Sequence, residues 1–157
     1  MPTALHAGLT TIYLKAPRKA PEGSTMAKEV IAVPKVPRYP VPVSPAIRAG
    51  DYIFVSGQPG FVAVGGKEVK GIEAQTRQCL ENVRQILEAA GSSLNDVVKV
   101  TVFLRDASYF APMNEVYRSY FPKDHPARSA VVTGLVVPNM LVEIECIAYS
   151  PVKGHRM

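Results

Sequence analysis

The chain has 157 residues, of which 47% are hydrophobic and 20% charged, with a net charge of +5. That length and balance suit a single globular domain that folds without disulfides or metals. The longest apolar runs, such as Leu135-Val136-Val137, fall far short of the ~20 residues that cross a bilayer, so a membrane-spanning helix is excluded. The charge is uneven. Residues 1–40 carry six Lys/Arg against two acids, whereas residues 41–157 carry twelve against eleven. The basic character belongs to the N-terminal segment, and the near-neutral remainder argues against a nucleic-acid partner, which needs basic residues clustered on a folded face.

Eight of the fourteen prolines lie in residues 1–45, and Val33 to Pro45 reads V-P-K-V-P-R-Y-P-V-P-V-S-P. Proline removes a donor and disfavours the α region for the residue before it. Residues 1–40 therefore read as a proline-rich basic extension, partly disordered, leading into a domain at 41–157. Residues 1–25 have no acid before Glu22 and could be an organelle-targeting peptide. Prolines at 2, 17 and 21 disfavour the amphipathic helix such a peptide needs, so a dispensable extension, with Met26 as a start, and a cytoplasmic protein are expected.

Ala49-Gly50-Asp51 signals a turn. Tyr52 to Val55 is aromatic and β-branched, a buried strand that stops at Ser56-Gly57-Gln58. Gly65-Gly66 sits between two short apolar runs as a loop or hairpin. Ile72 to Ala90 is helical, with Leu80, Val83, Leu87 and Ala90 on one stripe. Arg77/Glu81 and Arg84/Glu88 are spaced as i,i+4 pairs, and Gly91 is placed to end the helix. Val97 to Leu104 is a strand with Val98, Val100, Val102 and Leu104 on one side. Asp106 or Ser108 caps a second helix over Tyr109 to Phe121, stopped by Pro122. Pro126-Ala127-Arg128-Ser129 leads into a strand at Ala130 to Thr133, and Leu141 to Tyr149 is the last strand. The pattern is α+β, a sheet with both helices on one face. Its other face needs a use, and oligomer formation is one.

In the last strand Glu143 and Glu145 share a face with Leu141, Ile147 and Tyr149. They are a solvated pair on an open face, or carboxyls with raised pKa values on a covered one, able to position water. Arg128 offers a planar fork of donors suited to a carboxylate, or it is a plain surface charge. Ser56-Gly57 offers a hydroxyl and close backbone approach. Cys79 and Cys146 read as buried small hydrophobes. The histidines, His6, His125 and His155, have no metal-ligand spacing, so no metal site is expected. No Ser-His-Asp set, P-loop or GxGxxG is present.

These segments together resemble the RidA/YjgF family of reactive intermediate deaminases. The matching stretches are Phe54-Val55-Ser56-Gly57-Gln58, Gln75 to Asn82, Leu87 to Leu94, Val97 to Leu104, Met113-Asn114-Glu115-Val116-Tyr117, Pro126-Ala127-Arg128-Ser129 and Val142-Glu143-Ile144-Glu145. They keep the family's order and spacing from about Val41 to Val152. The resemblance implies a chorismate-mutase-like α+β fold with a mixed sheet and a homotrimer with sites between subunits. It also implies hydrolysis of 2-imino and enamine acids to 2-keto acids and ammonia, with no metal or organic cofactor. Arg128 would grip the substrate carboxylate and Glu143 would orient the attacking water. Ser56, Gly57, Asn114, Ala130 and Val43 would line the substrate. Two of these depart from the family: Val43 stands where a tyrosine is usual, and Ala130 where a cysteine is. Loss of that hydroxyl points to a larger or more apolar 2-imino acid, or an aminomuconate-like substrate. A trimer that binds small carboxylates or a protein without turnover is an alternative, and a ribonuclease is a third.

Overall fold

The computed structural model describes residues 28–151. The targeting or extension reading of residues 1–25 falls outside them. Strands β1 (Glu29–Ile31), β2 (Ala46–Ala49) and β3 (Tyr52–Pro59) precede helix α1 (Ile72–Ala89). Strand β4 (Val97–Leu104), helix α2 (Phe110–Tyr120), β5 (Ala127–Val132) and β6 (Val142–Tyr149) follow. They form one six-stranded mixed sheet in the order β1-β2-β3-β6-β4-β5, with β4 and β5 the parallel pair. The α+β architecture expected from the sequence is present.

Alternation along β6 divides the sheet's two faces. Val142, Ile144, Cys146 and Ala148 are buried, while Glu143, Glu145 and Ile147 are half-exposed. The buried side joins Ile53, Val55, Val100, Val102 and Leu104 to the stripe of α1 that carries Leu80, Val83, Ile86 and Leu87. Burial of such side chains supplies roughly 1.5–3 kcal/mol each. Helix α1 ends as its glycine predicts. Gly91 has φ 73°, its N–H reaches the Glu88 carbonyl at 3.0 Å, and the Ser92 N–H reaches the Leu87 carbonyl at 2.8 Å. Those two bonds are the Schellman closure, which glycine enters without a Cβ penalty.

The start of α1 holds the end of β3 in place. Gly60 lies so close to α1 that a Cβ there would meet the Gln75 carbonyl oxygen at 1.9 Å. Asn82 donates from Nδ2 to the Pro59 carbonyl at 3.2 Å. The buried Gln75 amide donates to the Val69 and Asn139 carbonyls at 3.0 and 2.9 Å and accepts from the Leu141 N–H at 2.9 Å. The end of β3, the β3–α1 loop and the β5–β6 loop are thereby tied to one helix.

Several elements differ from expectation. Residues 29–36, assigned by their prolines to the extension, contribute β1 and the core residues Ile31, Val33 and Val36. Proline excludes helix but not an edge strand. Strand β3 does not stop at Ser56 but runs to Pro59, with a register shift against β6 between Val55 and Gln58. In β4 a further register shift between Val97 and Lys99 leaves Val97 buried and Val98 44% exposed, breaking the simple alternation. Glu81 pairs with Arg84 at 2.6 Å and accepts from the Tyr120 hydroxyl at 2.8 Å, with Arg77 a more distant charge. Strand β5 begins at Ala127, so Arg128 lies within it.

Candidate functional site

The expected site residues fall into two groups. The first lies where β3 and β6 adjoin. Glu143 is in register with Pro59 on one side and Phe103 on the other. Its carboxylate rests on Gly57, where an added Cβ would come within 1.9 Å of Oε1. Only glycine leaves that space. Ser56 is fastened by its own segment: its hydroxyl donates to the Ser44 carbonyl at 2.6 Å and its N–H to the Pro45 carbonyl at 3.0 Å. Ser56 and Gly57 line a cavity of about 190 Å³ between β3 and the proline-rich arm, together with Val33, Val36, Tyr39 and Val43.

Burial pushes the Glu143 carboxyl above its ordinary value of 4.5, and repulsion from Glu145 adds to the shift. No described residue donates a hydrogen bond to Glu143, so none of them offsets the desolvation. A carboxyl so placed is a stronger base than a solvated one, the property needed to take a proton from water.

The second group lies at the far edge. Arg128 is in register with Val100, which is in register with Cys146, so it sits on the helix-covered face, away from Glu143. Its Cζ is 4.5 Å from the Tyr117 ring centroid and 5.8 Å from that of Phe110. Phe110, Asn114 and Tyr117 recur at four- and three-residue spacing on α2, one stripe beside the guanidinium. Cation–π stacking holds the cation without using its N–H groups. Arg128 makes no hydrogen bond to any described residue, so its donor fork is open to a ligand carboxylate. Desolvation raises the Tyr117 phenol to about 12 against the opposing pull of Arg128, and its hydroxyl is buried without a partner. Ala130, two residues along β5, helps to line an open hollow of about 270 Å³ with Phe110, Val131 and Val132.

Within one chain the two groups do not meet. Strand β4 separates β6 from β5, a gap of roughly 10 Å across two strand spacings, and Glu143 and Arg128 face opposite sides of the sheet. Each group adjoins a hollow of its own: Gly57, under the Glu143 carboxylate, lines the first, and Phe110, beside the Arg128 guanidinium, lines the second.

A model of the family described as Endoribonuclease L-PSP matches residues 12–150. The chain belongs to that family, which is the YjgF/RidA group. A RutC family protein of Pyrococcus abyssi is 51% identical over 125 residues, covering 79% of this chain and 98% of the relative. The mouse 2-iminobutanoate/2-iminopropanoate deaminase is 38% identical over 126 residues, covering 80% of this chain and 93% of that protein. Among solved structures, E. coli TdcF with bound serine superposes with a TM-score of 0.73 at 34% identity, covering 77% of this chain and 98% of TdcF. Relatives named for imine deamination support that chemistry at the level of the family.

Sequence reasoning missed two features. Phe110 and Tyr117 form the platform under Arg128, a role that their helical spacing does not single out. Their spacing matched a core stripe equally well, and only the packing of β5 separates the roles. Tyr39 lines the cavity beside Val43 and restores a phenol to the wall that Val43 leaves bare. A lone aromatic in a proline-rich stretch was the available signal.

Proposed function

We propose that this protein hydrolyses 2-imino and enamine acids to 2-keto acids and ammonia. Arg128 binds the substrate carboxylate and Glu143 positions the attacking water, in a homotrimer whose sites form between neighbouring subunits. The separation of the two groups carries this reading. Among the described residues, a carboxylate without a donor and a guanidinium without an acceptor occupy different strands and opposite faces of one sheet, and a second copy that brings its β5 edge to the open face would put them in a single site. The exposed apolar residues suit such contacts: Tyr52, Phe54, Val131 and Tyr149 on the open face, and Val132 on the face of Arg128. The bound serine of TdcF, an amino acid with a free carboxylate, and the mouse relative's name favour a small 2-imino acid as substrate.

The chemistry asks little of the protein. An imine carbon is already electrophilic, so catalysis depends on holding the substrate and orienting water. Water oxygen bonds to that carbon as the C=N π bond opens, and Glu143 takes a proton from the water and returns it to the nitrogen. The resulting carbinolamine loses ammonia as its hydroxyl proton passes to the nitrogen by the same carboxylate, the C–N bond breaks and the C=O bond forms. Asn114, Ser56 and Gly57 would line the reacting centre, with Ala130 contributing backbone and Val43 the apolar wall. The test is release of ammonia and keto acid from enzymatically generated 2-iminopropanoate and 2-iminobutanoate. Wild type accelerates both, and Arg128→Ala does so about a hundredfold less well in kcat/KM. Equal rates for the two proteins overturn the assignment.

A further inference from the structure

The Tyr39 side chain, on the arm between β1 and β2, is not explained by packing alone. Its ring lies 5.9 Å from that of Phe61, which accounts for its position but not for its hydroxyl. That hydroxyl is buried and has no hydrogen-bond partner among the described residues. A buried donor left unmade costs roughly 1–3 kcal/mol, so such groups mark strain or function. Tyr39 lines the same cavity as Gly57, and Gly57 is the floor on which the Glu143 carboxylate rests. A donor without an acceptor and an acceptor without a donor among the described residues thus share Gly57 as a neighbour, and the charge of Glu143 is felt at Tyr39.

We infer that Tyr39 is a positioning residue for Glu143, its phenol donating a hydrogen bond to the carboxylate, directly or through the reacting water, when substrate occupies the site. This rests on the reading of Glu143 as the carboxylate that positions water. Catalytic hydrogen bonds are commonly long or unformed without substrate and tighten in the complex. Electrostatics agrees with the geometry. Desolvation first, then the neighbouring Cys79 and Glu143, raise the Tyr39 phenol to about 12, so it stays protonated and acts only as a donor. The titratable groups around the pair are Glu145 on β6, Cys79 on α1 and Arg38 at the cavity rim. Cys79 is buried and also raised, so it stays a neutral thiol. Tyr39 is then the neutral donor best placed to steady the ionised form of Glu143.

Tyr39→Phe keeps the ring and its contact with Phe61 while deleting the hydroxyl. Its thermal midpoint should equal or exceed that of wild type, because an unpaired buried group has gone. Turnover of 2-iminobutanoate should fall about tenfold in kcat with KM unchanged. The acid limb of the pH–rate profile should move to higher pH, because a lost donor disfavours the carboxylate. A merely structural tyrosine would leave that limb in place. Carbon-13 NMR titration of the Glu143 carboxyl, with 2-oxobutanoate at saturating concentration, gives a reading independent of turnover. A higher Glu143 pKa in Tyr39→Phe supports the inference, and an unchanged pKa overturns it. Failure of wild type to turn over any imino acid would instead defeat the proposed reaction, while the titration still decides whether the two side chains are linked.

Discussion

The β3–β6 end and the β5 edge solve opposite problems. Glu143 is a charge partly removed from water, resting on a glycine with no donor to offset the loss. Arg128 is a charge placed on two aromatic rings, with every N–H left for something else. The first arrangement raises the energy of the ionised form, as the proposed base requires. The second leaves the donor fork open, as the proposed anchor requires. Each is incomplete in a way the other would correct, which is why the largest expected effects come from removing one or the other.

Glu143→Gln should have the largest effect. It removes the only group proposed to take the proton of water, and such groups contribute roughly 10²–10⁴-fold. The loss should appear in kcat, with affinity for the 2-keto acid product little changed. Retained kcat would detach Glu143 from the chemistry. Arg128→Ala should cost about a hundredfold in kcat/KM, as charge-assisted bonds to a carboxylate are lost. Much of that loss should be in KM, and the sheet should stay folded because Arg128 makes no hydrogen bond to any described residue.

The same comparison predicts complementation. If one subunit supplies Glu143 and its neighbour Arg128, mixing the two inactive variants after denaturation should restore on the order of a quarter of the sites. Separately refolded variants, mixed without exchange, should stay inactive. Absence of recovery in refolded mixtures that sediment as trimers would show that the two residues do not share a site.

Gly57→Ala comes next in size. The new methyl would overlap Glu143 Oε1, so the carboxylate must swing away or the strand must shift. Such overpacking costs roughly 1–3 kcal/mol. The Gly57→Ala, Glu143→Ala double variant should recover most of the stability and none of the activity. Full stability of the single variant would mean that Glu143 has other places to go, and would weaken the case for a fixed base.

These differences also separate what was legible in the sequence from what was not. Helix α1 was legible because its stripe, its length and Gly91 agree, and local signals alone close its end. The alternation of Val142 to Cys146 placed Glu143 correctly for the same reason. Strand β1 was hidden because three residues carry no periodicity, and its stability comes from pairing with Ala46 to Arg48 in the folded sheet. The shift at Val98 and the extension of β3 through Gly57 are likewise set by neighbouring strands. The family pattern pointed to Arg128 and Glu143, but nothing local to either says that they lie on opposite faces. The cradle of Tyr117 and Phe110 depends on how α2 crosses β5, which no spacing encodes.

The smallest effect is thermal, and its sign comes from the raised carboxyl. Glu143 binds its proton more tightly in the folded chain than in the unfolded one, where the ordinary value of 4.5 applies. Its contribution to stability is therefore fully present below that value and is lost as pH rises through the folded pKa. At neutral pH the folded protein carries an ionised, partly desolvated carboxylate, and Glu143→Gln removes that burden. The variant should melt higher than wild type at neutral pH and equal to it well below pH 4.5. Because Glu143 is only half-buried, solvent screens part of the penalty and the gain should be modest. An equal gain at both pH values would mean that packing of the amide, not relief of charge, is responsible. A lower midpoint at neutral pH would mean that the carboxylate finds a donor in the assembled protein, the role that Tyr39 is placed to fill.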